Sequence, residues 1–115
     1  MTKVKISHDS GRFAISVAGH SGYAPSGQDI VCAGISALSQ TAAQMFAKME
    51  AEGDLKEFSL EMQSGELHLF AVACKSYEAK AAVIYEYFCE GAGLIAQNYP
   101  DYLKIFKCGE KNENA

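Results

Sequence analysis

The chain has 115 residues, of which 49% are hydrophobic and 21% charged, and its formal net charge is −4. A chain of this size buries one hydrophobic core and shows no linker, so we expect one domain over residues 1–109 and a solvated tail at 110–115. The negative charge, with basic residues that form no long run, argues against direct nucleic-acid binding through phosphate contacts.

The chain start and the cysteine spacing indicate the compartment. The first residues, MTKVKISHD, lack the apolar core of a signal peptide, and no apolar stretch approaches the roughly 20 residues of a membrane span. We therefore expect a cytoplasmic protein with no membrane partner. The cysteines form no Cys-x-x-Cys pair and the histidines no His-x-x-x-His pair, so the sequence predicts free thiols, no metal and no cofactor.

Alternating apolar and polar residues open the chain. Two such segments flank the turn residues Asp9-Ser10-Gly11, which predicts a β-hairpin that delivers Gly19 and His20 at its open end. His8 lies near the turn, and we expect it to be solvated. The inward-facing residues of this hairpin are Val4, Ile6, Phe13, Ile15 and Val17.

A glycine-containing loop then leads into an apolar segment with helical spacing. With Asp29 as N-cap, the predicted helix runs to about Glu52, Gly53 ends it, and Cys32 is its third residue. A start at Ser26 would place the thiol deeper in the helix. The apolar arc of this helix is broad enough that one small sheet does not cover it, which favours a homodimer through helices.

The second half repeats the plan of the first. A hairpin at about residues 55–73 precedes a helix with Ser76 as N-cap, which extends to about Asn98 before Pro100, and alternation at 102–108 is compatible with a last edge strand. The fold class is therefore α/β (α+β): a two-layer sandwich, strand-strand-helix-strand-strand-helix, with a mixed or antiparallel sheet packed on two helices.

His20 and Cys32 face each other across the first strand-to-helix corner. A helix N-terminus and a neighbouring imidazole both lower the pKa of a thiol, and free backbone N–H groups there stabilise an oxyanion, so the pair fits cysteine nucleophilic catalysis. The alternative is that Cys32 is a small core residue and His20 is structural, since cysteine is among the most buried residue types.

The same stretch resembles the ribosomal-processing cysteine protease family of Firmicutes and related bacteria, the Prp family. The resemblance rests on the loop residues His20, Gly22, Tyr23, Ala24 and Gly27, the run Asp29-Ile30-Val31-Cys32-Ala33, and Ser36-Ala37-Leu38. It implies a cytoplasmic thiol protease with His20 and Cys32 as its catalytic pair, which removes the N-terminal extension of a large-subunit ribosomal protein during ribosome biogenesis. Ser21 and Gly34 stand where the family commonly has alanine. We expect Ser21 to matter little.

Further residues have supporting roles in this hypothesis. We assign Asp29 as helix cap or as a group that orients His20, and Ser36 as a hydrogen-bond partner of the thiol or of its own backbone. The backbone around Val31 and Cys32 is the candidate oxyanion site. The loop candidates for substrate contact, as a lid or a groove wall, are Gly19, Gly22, Tyr23, Ala24 and Gly27, with Val31 beside them.

Two other functions remain open from the sequence. One is a non-enzymatic dimeric module that binds a ribosomal-protein tail, for which the acidic outer positions of the second hairpin would provide charge complementarity. The other is a redox sensor that uses Cys32 and a resolving thiol, which the missing Cys-x-x-Cys disfavours.

Overall fold

The computed structural model describes residues 1–25 and 27–108, and it confirms the predicted order of elements. The tail predicted at 110–115 and the alternative helix start at Ser26 lie outside the described residues. The elements are β1 (Thr2–Asp9), β2 (Arg12–Ala18), α1 (Ile30–Ala51), β3 (Leu55–Gln63), β4 (Glu66–Ala73), a 3₁₀ turn (Lys75–Tyr77), α2 (Glu78–Asn98) and β5 (Leu103–Lys107).

The five strands form one open sheet in the order β3-β4-β2-β1-β5. Neighbours pair antiparallel except β1 and β5, which pair in parallel, so the sheet is mixed as expected. The first hairpin occupies the centre because β2 pairs with β4 on one side while β1 pairs with β5 on the other. This register brings the end of β2 beside the β3–β4 turn, with Ala18 opposite Glu66.

The core lies between one face of the sheet and the two helices. Alternate strand residues point toward the helices and are buried, which follows from the two-residue period of a strand. From β2 these are Phe13, Ile15 and Val17, and from α1 the deepest side chains include Val31, Ile35, Phe46 and Met49. This two-layer arrangement confirms the predicted fold class.

Helix α1 begins and ends where its capping residues predict. The carboxylate of Asp29 accepts a hydrogen bond from the amide of Cys32, which is the third helical residue, and Gly53 follows the helix with a φ of 82°. Its 22 residues are long and apolar enough to cross a membrane, so the prediction that no stretch approaches that length is wrong. In this fold α1 is a core helix packed on the sheet and α2.

The start of α2 differs from the prediction. Ser76 lies inside the 3₁₀ turn and makes no capping hydrogen bond, and α2 begins at Glu78, so its assignment as N-cap is wrong. The turn forms because the amide of Tyr77 bonds the carbonyl of Cys74 at 2.8 Å, which closes the chain before an α-helical N-cap can form at Ser76.

His8 is also less solvated than expected. Its ring is half-buried and stacks on Phe13, with centroids 4.4 Å apart, and lies 5.3 Å from the ring of Tyr85. The strand pairing places it directly opposite Phe13 near the β1–β2 turn. His8 is therefore a packing residue at the turn end of the first hairpin. Gly19 follows the other end of β2.

Candidate active site

The strand-to-helix corner places His20 and Cys32 at the end of the central strand β2. Gly19 follows β2 with a φ of 94°, and a Cβ at this position would lie 2.6 Å from the carbonyl oxygen of Met1. Only glycine fits both constraints. The chain therefore turns sharply after β2, and His20 lies exposed beyond the end of the strand while Cys32 is half-buried in the first turn of α1.

A backbone hydrogen bond connects the two sides of the corner. The amide of Ser21, the residue after His20, donates to Cys32 Sγ at 3.2 Å. A donor aimed at the sulfur stabilises its thiolate form more than its thiol form. No hydrogen bond joins His20 to Cys32 in the described part of the chain, so in this conformation the sulfur is held by backbone and not by the imidazole.

Asp29 organises the loop around this hydrogen bond. Oδ1 accepts from the amide of Cys32 at 2.9 Å, and Oδ2 accepts from the hydroxyl of Ser21 and from the amides of Tyr23 and Ala24. Desolvation alone would raise the pKa of this carboxyl. The hydrogen bonds from Ser21, Cys32 and Ala24 outweigh it and lower the pKa to about 2, so Asp29 is a carboxylate at neutral pH.

These contacts show the first of the two roles considered for Asp29, that of helix cap. Both of its oxygens are engaged by the helix and the loop, and none of its hydrogen bonds goes to His20. Asp29 is therefore a helix cap that also holds the loop. The same geometry removes one oxyanion candidate, because the amide of Cys32 already donates to Asp29.

His20 lies against the β3–β4 turn. Its Nε2 is 2.9 Å from the position that a Cβ on Gly65 would take, and the amide of Gly19 donates to the carbonyl of Gly65 at 2.9 Å. Gly65 also has a φ of 78°. A side chain at this position would be strained and would displace the imidazole.

Two grooves meet at His20 and Cys32. The first, of about 390 Å³, lies between α1 and the β3–β4 turn, and the second, of about 680 Å³, lies between α1 and the loop. His20, Cys32 and Ser36 line both grooves. A chain laid along the two grooves would therefore pass over the sulfur with residues on either side, which is what cleavage inside a peptide requires.

The predicted loop residues divide between the second groove and the fold. Gly22, Ala24 and Gly27 line the second groove, and Gly19 lines the first. Val31 is 1% exposed and belongs to the core, and Tyr23 packs edge-on against Tyr99 and Tyr102 outside both grooves. Ser36 is exposed, and its hydroxyl makes no hydrogen bond to Cys32 within the described residues.

Sequence reasoning missed the contributions of Ser21 and of the second hairpin. The side chain of Ser21 is 3% exposed and its hydroxyl bonds Asp29, so the expectation that it matters little is wrong. The first groove is lined by residues 62–67 of the β3–β4 turn region and by Ser39 and Gln40 of α1. The Ser64-Gly65 turn was visible in the sequence, but nothing local connects it to His20.

The remaining thiols lie away from the grooves. Cys74 is half-buried near the carbonyl of Gly53, Cys89 packs against the core, and Cys108 is exposed after β5. Cys32, Cys74 and Cys108 are free thiols. Over residues 1–25 and 27–108, no cluster of three or more His, Cys, Asp or Glu side chains could hold a metal ion.

Comparison with known proteins decides the family. The family model described as cysteine protease Prp matches residues 1–104. The chain belongs to the cysteine protease Prp family. His20, Cys32 and the residues that line both grooves lie within the matched residues, so the family assignment covers the whole site. All five strands also begin within this range. A search of curated protein sequences found no match.

Solved structures have the same fold as this Prp-family chain. The essential ribosomal processing protease Prp from S. aureus, in complex with a covalently linked product peptide, superposes with a TM-score of 0.73 at 20% identity, covering 93% of this chain and 99% of that one. Its complex with a substrate peptide gives 0.67 at 18% identity over the same shares. SMU.848 from Streptococcus mutans gives 0.66 at 22% identity, covering 93% of each chain.

Proposed function

We propose that this protein is a cysteine endopeptidase in which Cys32 is the nucleophile and His20 the general base and acid. The observation that carries the proposal is the meeting of two grooves at these two side chains, with the amide of Ser21 donating to the sulfur. An exposed imidazole and a half-buried thiol at a helix N-terminus, which line the same two grooves, provide the groups that thiol proteolysis uses.

The reaction proceeds in two transfers. The Cys32 thiol gives its proton to His20, and the thiolate attacks the peptide carbonyl to form a tetrahedral oxyanion. The C–N bond then breaks, His20 protonates the leaving amine, and a thioester remains on Cys32. Water, deprotonated by His20, hydrolyses the thioester and restores the thiol.

For the oxyanion we favour the amide of Ser21. The oxyanion is two bonds away from the sulfur, and this amide is 3.2 Å from the sulfur in the resting site.

The imidazole lies against Gly65 in the resting conformation, so it must turn toward the sulfur when the peptide enters. Exposed side chains change rotamer on a picosecond-to-nanosecond timescale, which makes this turn fast compared with chemistry.

We propose that the substrate is the N-terminal extension of a large-subunit ribosomal protein. The support is that a family member from S. aureus is a ribosomal processing protease with solved substrate and product peptide complexes. Removal of the extension would place this protein in bacterial ribosome biogenesis in the cytoplasm, with a protein substrate and no direct nucleic-acid contact. A net charge of −4 favours association with a basic ribosomal protein.

The test is cleavage of a ribosomal protein that carries its extension, followed by intact mass. We expect one defined N-terminal cut with the wild-type protein, none with Cys32→Ala or His20→Ala, and wild-type cleavage with Cys74→Ala as the matched thiol control. Cleavage that persists in Cys32→Ala would overturn the mechanism. Tight binding of the extension without any cut by the wild type would favour the non-enzymatic binding module.

We also propose that a second copy covers the outer face of the helix pair. Apolar side chains line a groove of about 390 Å³ between α1 and α2, and Val83 and Tyr87 there are 65% and 72% exposed. An exposed apolar surface on two neighbouring helices is self-complementary in a two-fold dimer. We expect a dimer mass in solution for the wild type and a monomer for Tyr87→Glu, whereas a monomeric wild type would contradict this proposal.

A further inference from the structure

Three tyrosines from distant parts of the chain form a cluster beside the active-site loop. The ring of Tyr23 lies edge-on to Tyr99 and Tyr102, with centroids 5.4 and 5.3 Å apart and interplanar angles of 84° and 83°. Edge-to-face geometry at these distances is a favoured aromatic contact. Tyr23 is the loop residue of the cluster, and we call the three rings the tyrosine clamp.

The other two rings are fixed to the fold. Tyr99 follows α2, and its amide bonds the carbonyl of Ile95 at 2.8 Å. The carbonyl of Tyr102 accepts from the amide of Thr2 at 3.0 Å, at the start of the central hairpin. Both rings pack against the hydrophobic core. The clamp therefore joins the loop to a rigid part of the domain.

The loop side of the clamp leads directly to the sulfur. The amide of Tyr23 donates to the hydroxyl of Ser21 at 3.1 Å and to Asp29 Oδ2 at 3.1 Å. The amide of Ser21 donates to Cys32 Sγ. Ser21 therefore connects Tyr23 to the nucleophile. Its hydroxyl accepts from the Tyr23 amide, and its own amide donates to the sulfur.

We infer that Tyr99 and Tyr102 are positioning residues for the active site, which act through Tyr23 to hold the Ser21 amide against the Cys32 sulfur. Neither ring lines the two grooves, so they contact neither the proposed substrate path nor the reacting atoms. The inference rests on the proposed role of Cys32 as nucleophile. Without the two rings, the loop loses its aromatic contacts with the rest of the domain, and Ser21 leaves the sulfur for part of the time.

The test measures the thiol itself and needs no peptide substrate. We expect Tyr99→Leu and Tyr102→Leu to slow iodoacetamide alkylation of Cys32 near neutral pH by roughly 2- to 10-fold, the factor that one hydrogen bond carries. The hydrogen-exchange rates of the Ser21 and Tyr23 amides should increase in the same variants.

Matched variants separate this role from a loss of stability. Tyr99→Phe and Tyr102→Phe keep the rings and should restore the wild-type rate, because no hydrogen bond of either hydroxyl takes part in the clamp. Tyr77→Leu removes an exposed tyrosine of the 3₁₀ turn, at the opposite end of α2 from Tyr99, and should leave the rate unchanged.

Wild-type alkylation and exchange in folded Tyr99→Leu and Tyr102→Leu would overturn the inference, as would equal slowing by the Phe variants. If the wild-type protein cleaves no ribosomal-protein extension, the proposed substrate fails, whereas the alkylation rates still decide whether the clamp positions the thiol.

Discussion

The backbone amide of Ser21 donates to the sulfur of Cys32 at 3.2 Å, and the Ser21 hydroxyl donates to the carboxylate that caps the helix carrying that cysteine. One residue therefore connects the nucleophile, the N-cap and the loop. Ser21 is only 3% exposed. The hydroxyl adds a bond to Asp29 that alanine would not make.

The thiols should differ in reactivity. Cys32 lines two grooves and accepts a backbone hydrogen bond, so we expect iodoacetamide to modify it at least about 10-fold faster than Cys74 or Cys89 near neutral pH. Peptide mapping of a partially alkylated sample measures this. The exposed Cys108 serves as the internal reference for accessibility without activation. Equal rates at Cys32 and Cys108 would contradict an activated nucleophile.

Gly65→Ala should impair catalysis more than folding. A methyl group here meets the His20 ring, and the φ of 78° costs about 1–2 kcal/mol for a residue with a side chain. Gly53→Ala is the matched control, because it has a φ of 82° with no atom within 4 Å of the added Cβ.

Both variants should lose similar stability in urea unfolding. Only Gly65→Ala should lose peptide cleavage, because the added methyl group displaces the imidazole from the position beside the two grooves from which it turns toward the sulfur. An active Gly65→Ala protein would show that the resting contact of His20 with the turn has no catalytic consequence.

Asp29 should make the stability depend on pH in acid. Its pKa falls from an ordinary 3.8 to about 2 in the folded protein, so the ionised form stabilises the fold above pH 3.8, and this contribution is lost as the pH falls to about 2. Asp29→Ala should cost about 0.5–2 kcal/mol near neutral pH, the usual range for losing an N-cap.

The difference in unfolding free energy between wild type and Asp29→Ala should shrink from pH 3.8 to 2, as measured by urea unfolding at a series of pH values. Asp101→Ala, at an exposed turn, is the control and should show a difference near zero at every pH. A wild-type advantage that stays constant to pH 2 would contradict the stabilised carboxylate.

The two inner glycines of α2 should respond oppositely to alanine. An added Cβ at Gly93 meets nothing within 4 Å, so Gly93→Ala should stabilise the protein by about 0.5–1 kcal/mol through helix propensity. At Gly91 the added Cβ would lie 2.7 Å from the Leu38 side chain of α1. Overpacking should therefore cancel the gain in helix propensity in Gly91→Ala. Urea unfolding of the pair measures the difference, and a more stable Gly91→Ala would contradict close helix packing at this residue.

The sequence by itself determined the strands, the first helix and its cap, because alternation, helical spacing, Asp29 and Gly53 act over a few residues. It also indicated His20 and Cys32, since one loop joins them. It misplaced the start of α2, where a local 3₁₀ turn takes the place of a cap at Ser76.

Only the tertiary structure decided what surrounds the pair. The register of β2 with β4 brings Gly65 to His20 across 45 residues of chain, and the parallel pairing of β1 with β5 brings Tyr99 and Tyr102 to the loop. Contacts between segments so far apart leave no local pattern, because they depend on which strands pair and not on the residues beside them.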